Sequence, residues 1–263
     1  MDYLENFFAH EVDEGVALKA YQALIKYTIR PLGKEKRYLL KLGTGLGKTY
    51  SAILALQNFA SAGLTATIVS YQQDIFRDEL LKFNISMPLE YFGYIELGNK
   101  LVTEVQPGKF QLNRALIKNL FDGVIVFDEI QRCYSRLHDT LQFIYVRLLA
   151  LLFRNRVTCV YLSATPLTYA DEIRDFLSLM QAHAVYNETQ EELPKVIAAI
   201  QDIEMNVQAQ TREEFVKGAI KRLLIPEDIH AESAITEELI TDTCRDRVFY
   251  VPELVGKDIP RVN

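Results

Sequence analysis

A run of glycines followed by a lysine and a threonine stands between two apolar segments of the chain. The run is GTGLGKT (43–49); the strand-like segment YLLKL (38–42) precedes it, and a segment of helical character (48–61) follows. A helix N-terminus presents unpaired N–H groups and a partial positive charge, and glycines let the backbone wrap closely around an anion. The sequence therefore predicts a phosphate-binding loop at the start of a helix.

The residues of this loop have separate roles in holding a nucleotide. The backbone amides of Gly45 to Thr49 are expected to cradle the β-phosphate, while Lys48 bridges the β- and γ-phosphates. The hydroxyl of Thr49 is expected to bind Mg²⁺. The common pattern has glycine where this chain has Leu42, so the loop departs from it there. The predicted nucleotide-binding residues of the loop are Gly43, Thr44, Gly45, Leu46, Gly47, Lys48 and Thr49.

Two adjacent acids follow the apolar segment VIVF (124–127). Carboxylates at the end of a buried strand are costly unless they meet a cation or handle a proton. Asp128 is predicted to hold Mg²⁺, and Glu129 to polarise an attacking water as general base. With Lys48 they form the predicted catalytic set.

A third candidate lies in YLSATPL (161–167), where a strand-like segment breaks into small hydroxyl residues and a proline. Ser163 and Thr165 are expected to hydrogen-bond across to the two acids, which would couple this loop to them. A plain strand-to-loop turn is the alternative for this segment.

The segments that position these candidates alternate between strand-like and helix-like patterns over the first 180 residues. Buried-strand patterns lie at 65–70, 123–129 and 157–163, with helical patterns at 72–83, 139–153 and 169–180. Between residues 90 and 122, short strands at 91–97 and 100–105 and a helix at 110–121 are predicted. Apolar strands separated by helices indicate a doubly wound parallel α/β sheet, whose ligands bind at the carboxyl ends of the strands. All three candidates lie at such ends.

Together the three motifs resemble motifs I, II and III of superfamily 2 helicases and translocases. Lys48 and Asp128 are 80 residues apart, and Asp128 and Ser163 are 35 apart. The resemblance covers about residues 15–182 and implies the first of two RecA-like P-loop lobes, which binds ATP and Mg²⁺ and uses hydrolysis to move on nucleic acid. The acidic box is DEIQ here, so Gln131, to which the resemblance gives a coupling role, is a variant at the fourth position.

Two further segments resemble motifs of this family. LKAYQALI (18–25) is similar to the glutamine motif, with Lys19 where arginine is usual, which implies that Gln22 binds the adenine edge and favours ATP over GTP. TIVSYQQDIFRDEL (67–80) takes the place of motif Ia, which implies contacts with a nucleic-acid backbone from Ser70, Tyr71 and Gln72. LSATPLTYADEIRDFLSLM and EYFGYIELGNKLV more narrowly resemble ATPases of large DNA viruses, of the poxvirus early-transcription-factor and nucleoside-triphosphatase type.

The charge of the chain changes sign along its length. The net charge is −6, made of +3 over residues 1–170 and −9 over the remainder, so nucleic acid, DNA or RNA, is expected to contact the first part. Basic residues just before the glycine loop are expected either to lie along nucleic acid or to keep a helix and turn solvated. These are Lys26, Arg30, Lys34, Lys36, Arg37 and Lys41.

The sequence predicts a RecA-like lobe at 1–182 and an acidic, mainly helical segment at 183–263. The segment contains helical patterns at 188–207 and 211–224 and a strand at 247–254. No second alternating series follows residue 182, so a second lobe is expected in a longer chain or a partner. The alternatives are a nucleic-acid-stimulated ATPase of a transcription or remodelling factor that does not unwind, or a nucleotide-binding adaptor lobe that needs a partner.

Composition bears on the compartment. The three cysteines Cys133, Cys159 and Cys244 are far apart and odd in number, which is typical of free thiols in a reducing compartment. The N-terminal segment lacks a basic start and a cleavable apolar stretch, and no apolar run reaches membrane-spanning length. An intracellular protein without membrane association is therefore expected, cytoplasmic or nuclear, or in a virion if viral.

Overall fold

A parallel sheet carries the candidate residues at the carboxyl ends of its strands. The computed structural model describes residues 18–32, 37–121, 123–133, 141–152, 157–166, 172–180, 193–223, 248–251 and 261–262. The strands in this part of the chain are β1 (Leu18–Lys19), β2 (Arg37–Leu42), β3 (Ala66–Ser70), β4 (Glu90–Gly93), β5 (Val102–Gln106), β6 (Lys109–Leu112), β7 (Val124–Phe127), β8 (Thr158–Leu162), β9 (Val248–Val251) and β10 (Arg261–Val262).

Helices connect most of these strands. They are α1 (Ala20–Thr28), α2 (Lys48–Ser61), α3 (Gln73–Lys82), α4 (Tyr94–Leu101), α5 (Arg114–Leu120), α6 (Leu141–Leu152), α7 (Ile173–Met180), α8 (Leu193–Asn206) and α9 (Arg212–Leu223), with a short 3₁₀ helix at Ile130–Cys133. None of the described helices is long and apolar enough to cross a membrane.

The main sheet has the order β4-β3-β7-β8-β2-β9, and every pairing in it is parallel. The strand before the glycine loop, β2, and the strand before the two acids, β7, are therefore separated only by β8. This order brings the loop, the acids and the SAT segment to the same edge of the sheet. The predicted doubly wound parallel α/β fold is confirmed.

Helices cover both faces of the sheet, and alternate residues of each strand enter different cores. Val124 and Val126 of β7 pack with α1, α2 and α3 in one buried cluster. Ile125 and Phe127 belong to a larger cluster formed with α4 to α9. Because both faces are buried, the inner strands are mostly apolar and do not alternate regularly with polar residues, which is why the pattern was visible in the sequence.

Two predicted segments between residues 90 and 122 were wrong in part. The strand expected at 91–97 ends at Gly93, and helix α4 follows directly. The helix expected at 110–121 begins instead as β6, which pairs antiparallel with β5. Asn113 then caps α5, because its side chain accepts a hydrogen bond from the amide of Leu116 at 3.0 Å. Pairing of β6 with β5, and not helical periodicity, therefore sets the conformation of residues 109–112 and delays the start of the helix to Arg114.

The chain after residue 182 contributes to the same layers. The predicted helices form α8 and α9, and their residues Ile200 and Phe215 lie in the larger buried cluster. The predicted late strand forms β9, which pairs with β2, while β10 pairs antiparallel with β1. The division of the chain into domains at residue 182 stays a prediction. Cys133 and Cys159 are free and buried, as expected, and Cys244 lies outside the described residues.

Candidate nucleotide site

The glycine loop joins β2 to α2 in a left-handed path. Gly45 and Gly47 have φ of 76° and 72°, a region that glycine enters without strain. Gly47 is the N-cap of α2, and no side chain caps the helix there. The first regular helical bond runs from the amide of Ser51 to the carbonyl of Gly47, at 2.8 Å. The amides that precede it in the first turn have no intrahelical acceptor, which is the arrangement that suits an anion.

Gly47 also has a close neighbour, the side-chain amide of Gln22, which a Cβ atom there would displace. A Cβ atom at position 47 would lie 2.9 Å from Nε2 of Gln22, whereas one at Gly45 would meet nothing within 4 Å. Gln22 is buried, and its Oε1 accepts a hydrogen bond from the amide of Lys19 at 3.0 Å. The hydroxyl of Tyr21 donates to the carbonyl of Leu46. The start of α1 is therefore fixed against the glycine loop.

A pocket of about 570 Å³ opens over the loop. This volume is in the range of small-molecule sites. Its lining joins the loop to residues from α1 and α3 and to Glu129 of the acidic corner, the pair Asp128 and Glu129 that follows β7. The lining residues are Lys19, Tyr21, Gln22, Gly43, Thr44, Gly45, Leu46, Gly47, Lys48, Thr49, Tyr50, Glu79, Lys82, Phe83, Glu129 and Ala164. The structure thus brings Gln22, the whole predicted loop and Glu129 into one cavity.

Glu129 contacts Lys48 directly. Nζ of Lys48 lies 3.0 Å from Oε1 of Glu129, and Nε2 of Gln131 donates to Oε2 of the same carboxylate. Burial favours the neutral acid, but the Gln131 hydrogen bond and the Lys48 ammonium outweigh it and lower the pKa of Glu129. The carboxylate is therefore held ionised. Oε1 of Gln131 is buried without a hydrogen-bond partner among the described residues.

Asp128 is hydrogen-bonded by Ser70, a residue for which the sequence predicts contacts with nucleic acid. The buried hydroxyl of Ser70 donates to Oδ2 of Asp128 at 3.1 Å. Burial, reinforced by the charge of Glu129, raises the pKa of Asp128. A buried carboxylate with a raised pKa is one that a cation would stabilise in its ionised form.

The hydrogen bonds expected from the SAT segment to the acids are not found among the described residues. The side-chain oxygen of Ser163 instead accepts from the amide of Thr165 at 3.1 Å, and the Ser163 amide donates to the carbonyl of Leu40. This is the local turn that small hydroxyl residues favour. The coupling roles of Ser163, Thr165 and Gln131 stay predictions.

The loop at 70–72 lies at the carboxyl end of β3, beside Asp128. Ser70 is buried, whereas the Tyr71 side chain is 51% exposed. The amide of Gln72 donates to the hydroxyl of Ser70, which closes the turn. Contacts of the three residues with nucleic acid stay predictions. Sequence reasoning missed the bond from Ser70 to Asp128, because no local pattern signals a contact between strands that are 58 residues apart.

One residue of the basic group before the loop is not on the surface. Arg37 is buried, and its Nη1 donates to the carbonyl of Val157 at 2.7 Å. It therefore fastens β2 to the start of β8 and takes no part in a basic surface. Lys34 and Lys36 lie outside the described residues.

The residues available for a metal ion fit Mg²⁺ that arrives with a nucleotide. Mg²⁺ in phosphate-transfer sites takes one or two protein oxygens and completes its shell with phosphate oxygens and water. The hydroxyl of Thr49 and the carboxylate of Asp128 supply such oxygens. The described residues contain no group of three or more His, Cys, Asp or Glu side chains that would hold a metal ion on its own.

Comparisons with known proteins give structural likeness only. No protein-family model matches the chain, and no curated protein matches it significantly. The helicase domain of Pyrococcus furiosus Hef is similar over 60% of this chain and 36% of its own, at 16% identity and a TM-score of 0.43. The Sulfolobus solfataricus SWI2/SNF2 ATPase core in complex with dsDNA is similar over 93% of this chain and 47% of its own, at 12% identity and a TM-score of 0.48. The chain spans less than half of either protein, and at these scores their activities are not transferred to it.

Proposed function

We propose that the chain is the ATP-binding lobe of a superfamily 2 helicase or translocase, which couples ATP hydrolysis to movement on DNA or RNA. One observation carries the proposal: Gln22, the loop at 43–49 and Glu129, which are far apart in sequence, line a single pocket. That pocket has an anion-binding helix terminus at one side and an ionised carboxylate facing it, which is what phosphoryl transfer from a nucleotide to water requires.

Lys48 and Glu129 change partners when a nucleotide binds. In the structure the ammonium of Lys48 is held by the carboxylate of Glu129. A γ-phosphate carries more negative charge than one carboxylate and draws Lys48 to itself, which frees Glu129. The carboxylate of Glu129, no longer paired with Lys48, is then proposed to accept a proton from an attacking water. Gln131 keeps the carboxylate oriented.

Asp128 and Thr49 would hold Mg²⁺, which when bound neutralises charge on the β- and γ-phosphates. Gln22 lies beside Gly47 and is proposed to bind the adenine edge with its amide. A second RecA-like lobe, in the same longer chain or in a partner, is proposed to supply the arginines that complete the site. Such arginines raise the rate about 10³–10⁵-fold in related phosphoryl-transfer proteins.

The test is binding of a fluorescent ATP analogue with Mg²⁺ to the chain and to Lys48→Ala. Loss of a charge-assisted phosphate contact, about 1.5–3 kcal/mol, is expected to weaken binding at least about tenfold. Lys118→Ala removes an exposed lysine on α5, away from the pocket, and is expected to bind as the unaltered chain does. Equal affinity of Lys48→Ala and Lys118→Ala would overturn the nucleotide site.

The link to nucleic acid has its own measurement. A labelled single-stranded oligonucleotide is expected to bind weakly and to be released by salt, because the contacts are to phosphates. The chain alone is expected to hydrolyse ATP slowly and not to separate duplex strands. With the second lobe present, strand separation would identify a helicase and triplex displacement without separation a duplex translocase. Nucleotide binding without hydrolysis under either condition would leave the adaptor function.

A further inference from the structure

We propose that Tyr71 and Tyr94 form a relay that transmits nucleic-acid binding at the loop 70–72 to the Asp128–Glu129 peptide, with Tyr94 as a positioning residue. This inference rests on the function proposed above. It concerns side chains to which neither the motifs nor the nucleotide pocket gives a catalytic task.

Tyr94 holds the backbone between the two acids. It is the first residue of α4, it is buried, and its hydroxyl donates a hydrogen bond to the carbonyl oxygen of Asp128. The bond therefore fixes one plane, that of the peptide joining Asp128 to Glu129.

That peptide needs fixing because Glu129 has an unfavourable conformation. Its φ is 51°, in the left-handed region that non-glycine residues seldom adopt. Such residues persist where their surroundings hold them, and they gather at functional sites. In this conformation Glu129 points to Lys48 while Asp128 points to Ser70. Release of the Asp128 carbonyl would let both carboxylates move.

Tyr71 connects this corner to the surface. Its half-exposed ring lies edge-on to Tyr94, with centroids 6.3 Å apart and planes at 61°. The guanidinium of Arg132 lies 5.3 Å from the centroid of the same ring. The amide of Arg132 in turn donates to the carbonyl of Glu129 at 3.0 Å. Tyr71 thus touches two residues that are hydrogen-bonded to the backbone of the acids, Tyr94 through its hydroxyl and Arg132 through its main-chain amide.

The surroundings of Tyr71 suit an unpaired nucleobase. A second cavity of about 610 Å³ opens beside it, lined by Tyr71, Gly93, Tyr94, Ile95, Glu96, Asn99 and Lys100. An exposed aromatic ring next to cationic side chains is the composition of single-strand sites, where bases stack on rings and phosphates meet the cations. Arg132 places a cation against the ring, and Lys100 of the cavity lining is paired with Glu96 at 2.8 Å. A base that stacks on Tyr71 would share the ring with Arg132 and shift its contact.

Ser70 supplies a second link from the same loop. Its hydroxyl donates to the side chain of Asp128, whereas Tyr94 donates to the backbone of that residue. Ser163 makes no bond to either acid among the described residues, and its hydroxyl is used within its own turn. In this structure, therefore, the side-chain bonds that reach Asp128 come from the loop 70–72 and its neighbour Tyr94.

The experiment measures how strongly a single-stranded oligonucleotide changes the affinity for the Mg²⁺-bound fluorescent ATP analogue. Oligo-dT and oligo-U are both used, and the ratio of affinities with and without saturating oligonucleotide is the coupling factor. By linkage, the same factor applies to the effect of nucleotide on oligonucleotide binding, which gives an independent check. The unaltered chain is expected to show a factor of about 5 or more.

Tyr94→Phe removes only the hydroxyl and is expected to bring the coupling factor close to 1, with each ligand alone bound within about twofold of the unaltered chain. Tyr91→Phe is the matched control, because its hydroxyl is buried without a hydrogen-bond partner among the described residues, and it is expected to keep full coupling. If Tyr94→Phe folds poorly, Tyr71→Ala at an exposed position is expected to lose coupling even when the oligonucleotide is raised to saturation.

The outcomes separate the inference from the function beneath it. If the unaltered chain binds neither nucleotide nor oligonucleotide, the proposed function is wrong. If it binds both without coupling, or if Tyr94→Phe and Tyr71→Ala couple as the unaltered chain does, the relay is overturned and the ATP-binding lobe stands.

Discussion

The glycine loop and the acidic corner meet where Lys48 contacts Glu129 in the pocket, but they are built in different ways. The loop draws its proposed anion-binding groups from seven consecutive residues, the last two of which begin helix α2. The corner draws on three distant residues and one neighbour: Lys48 and the nearby Gln131 hold Glu129, while Ser70 and Tyr94 hold Asp128. A site made by the local backbone tolerates few substitutions at its glycines, whereas one assembled from side chains can be altered contact by contact.

The largest expected effect sharpens the role of the corner. Glu129→Gln keeps the shape and the bond with Gln131 but removes the base, so hydrolysis is expected to fall about 10²–10⁴-fold. ATP is expected to bind as well or slightly better, because Lys48 no longer has a carboxylate partner. Single-turnover hydrolysis and equilibrium binding measure the two quantities. Glu79→Gln, which alters another carboxylate of the pocket, is the control, and an equal loss in both variants would contradict the assignment.

The glycine loop is tested by a pair of substitutions that differ in one respect. Gly45→Ala and Gly47→Ala both place a side chain at positive φ, which is expected to cost about 1 kcal/mol of unfolding free energy. Only the Cβ at position 47 would meet Gln22, at 2.9 Å, so Gly47→Ala is expected to lose more stability and nucleotide affinity. Urea unfolding of the nucleotide-free chain gives the comparison. A smaller loss for Gly47→Ala would show that Gln22 does not press on the loop.

A pair of serines distinguishes the observed corner from the one expected from motifs. Ser70→Ala removes the donor to Asp128 and is expected to reduce the Mg²⁺-dependent gain in ATP affinity by about fivefold, since a hydrogen bond to a charged group contributes about 1 kcal/mol or more. Ser163→Ala removes a hydroxyl that, among the described residues, bonds to the Thr165 amide and not to Asp128, and its effect is expected to be smaller. Titrations with and without Mg²⁺ decide it, and the reverse order would restore Ser163 as the partner of Asp128.

The smallest expected effect concerns recognition of the adenine base of the nucleotide. Gln22→Ala is expected to lower the preference for ATP over GTP by about 2–10-fold, the value of one or two neutral hydrogen bonds. Competition of the two nucleotides against the labelled analogue measures this preference. An unaltered chain that binds ATP and GTP equally would remove the role of Gln22.

Much of the fold was predictable because the sheet is buried on both faces. Strands such as β7 and β8 are apolar without interruption, and helix α2 was predicted with its observed limits. The hairpin of β5 and β6 was not predicted in full, because its pattern Lys109–Leu112 is short and the following Asn113 cap marks the helix start only once the pairing is known.

In the site, too, features within one short segment were predictable and contacts between distant segments were not. The loop at 43–49 and Gln22 were each expected to bind the nucleotide from contiguous motifs, and the structure brings them into one pocket. The partners of Asp128 were not expected, because Ser70 and Tyr94 reach it through the order of the strands and not through spacing along the chain. Arg37 shows the converse: its charge indicated a surface, yet it is buried against the carbonyl of Val157.

The position of β2 within the sheet has a consequence for how the protein is made. Leu39 in this strand pairs with Tyr161 on one side and with Val248 on the other, so both neighbours of the loop-bearing strand are synthesised long after it. At translation rates of about 5–20 residues per second, the second neighbour emerges about 10–40 s after β2. Until then an apolar strand keeps an unpaired edge, which is the kind of surface that chaperones bind and that aggregates form on. The strand that leads into the candidate nucleotide site is therefore among the last parts of the nascent chain to be paired on both sides.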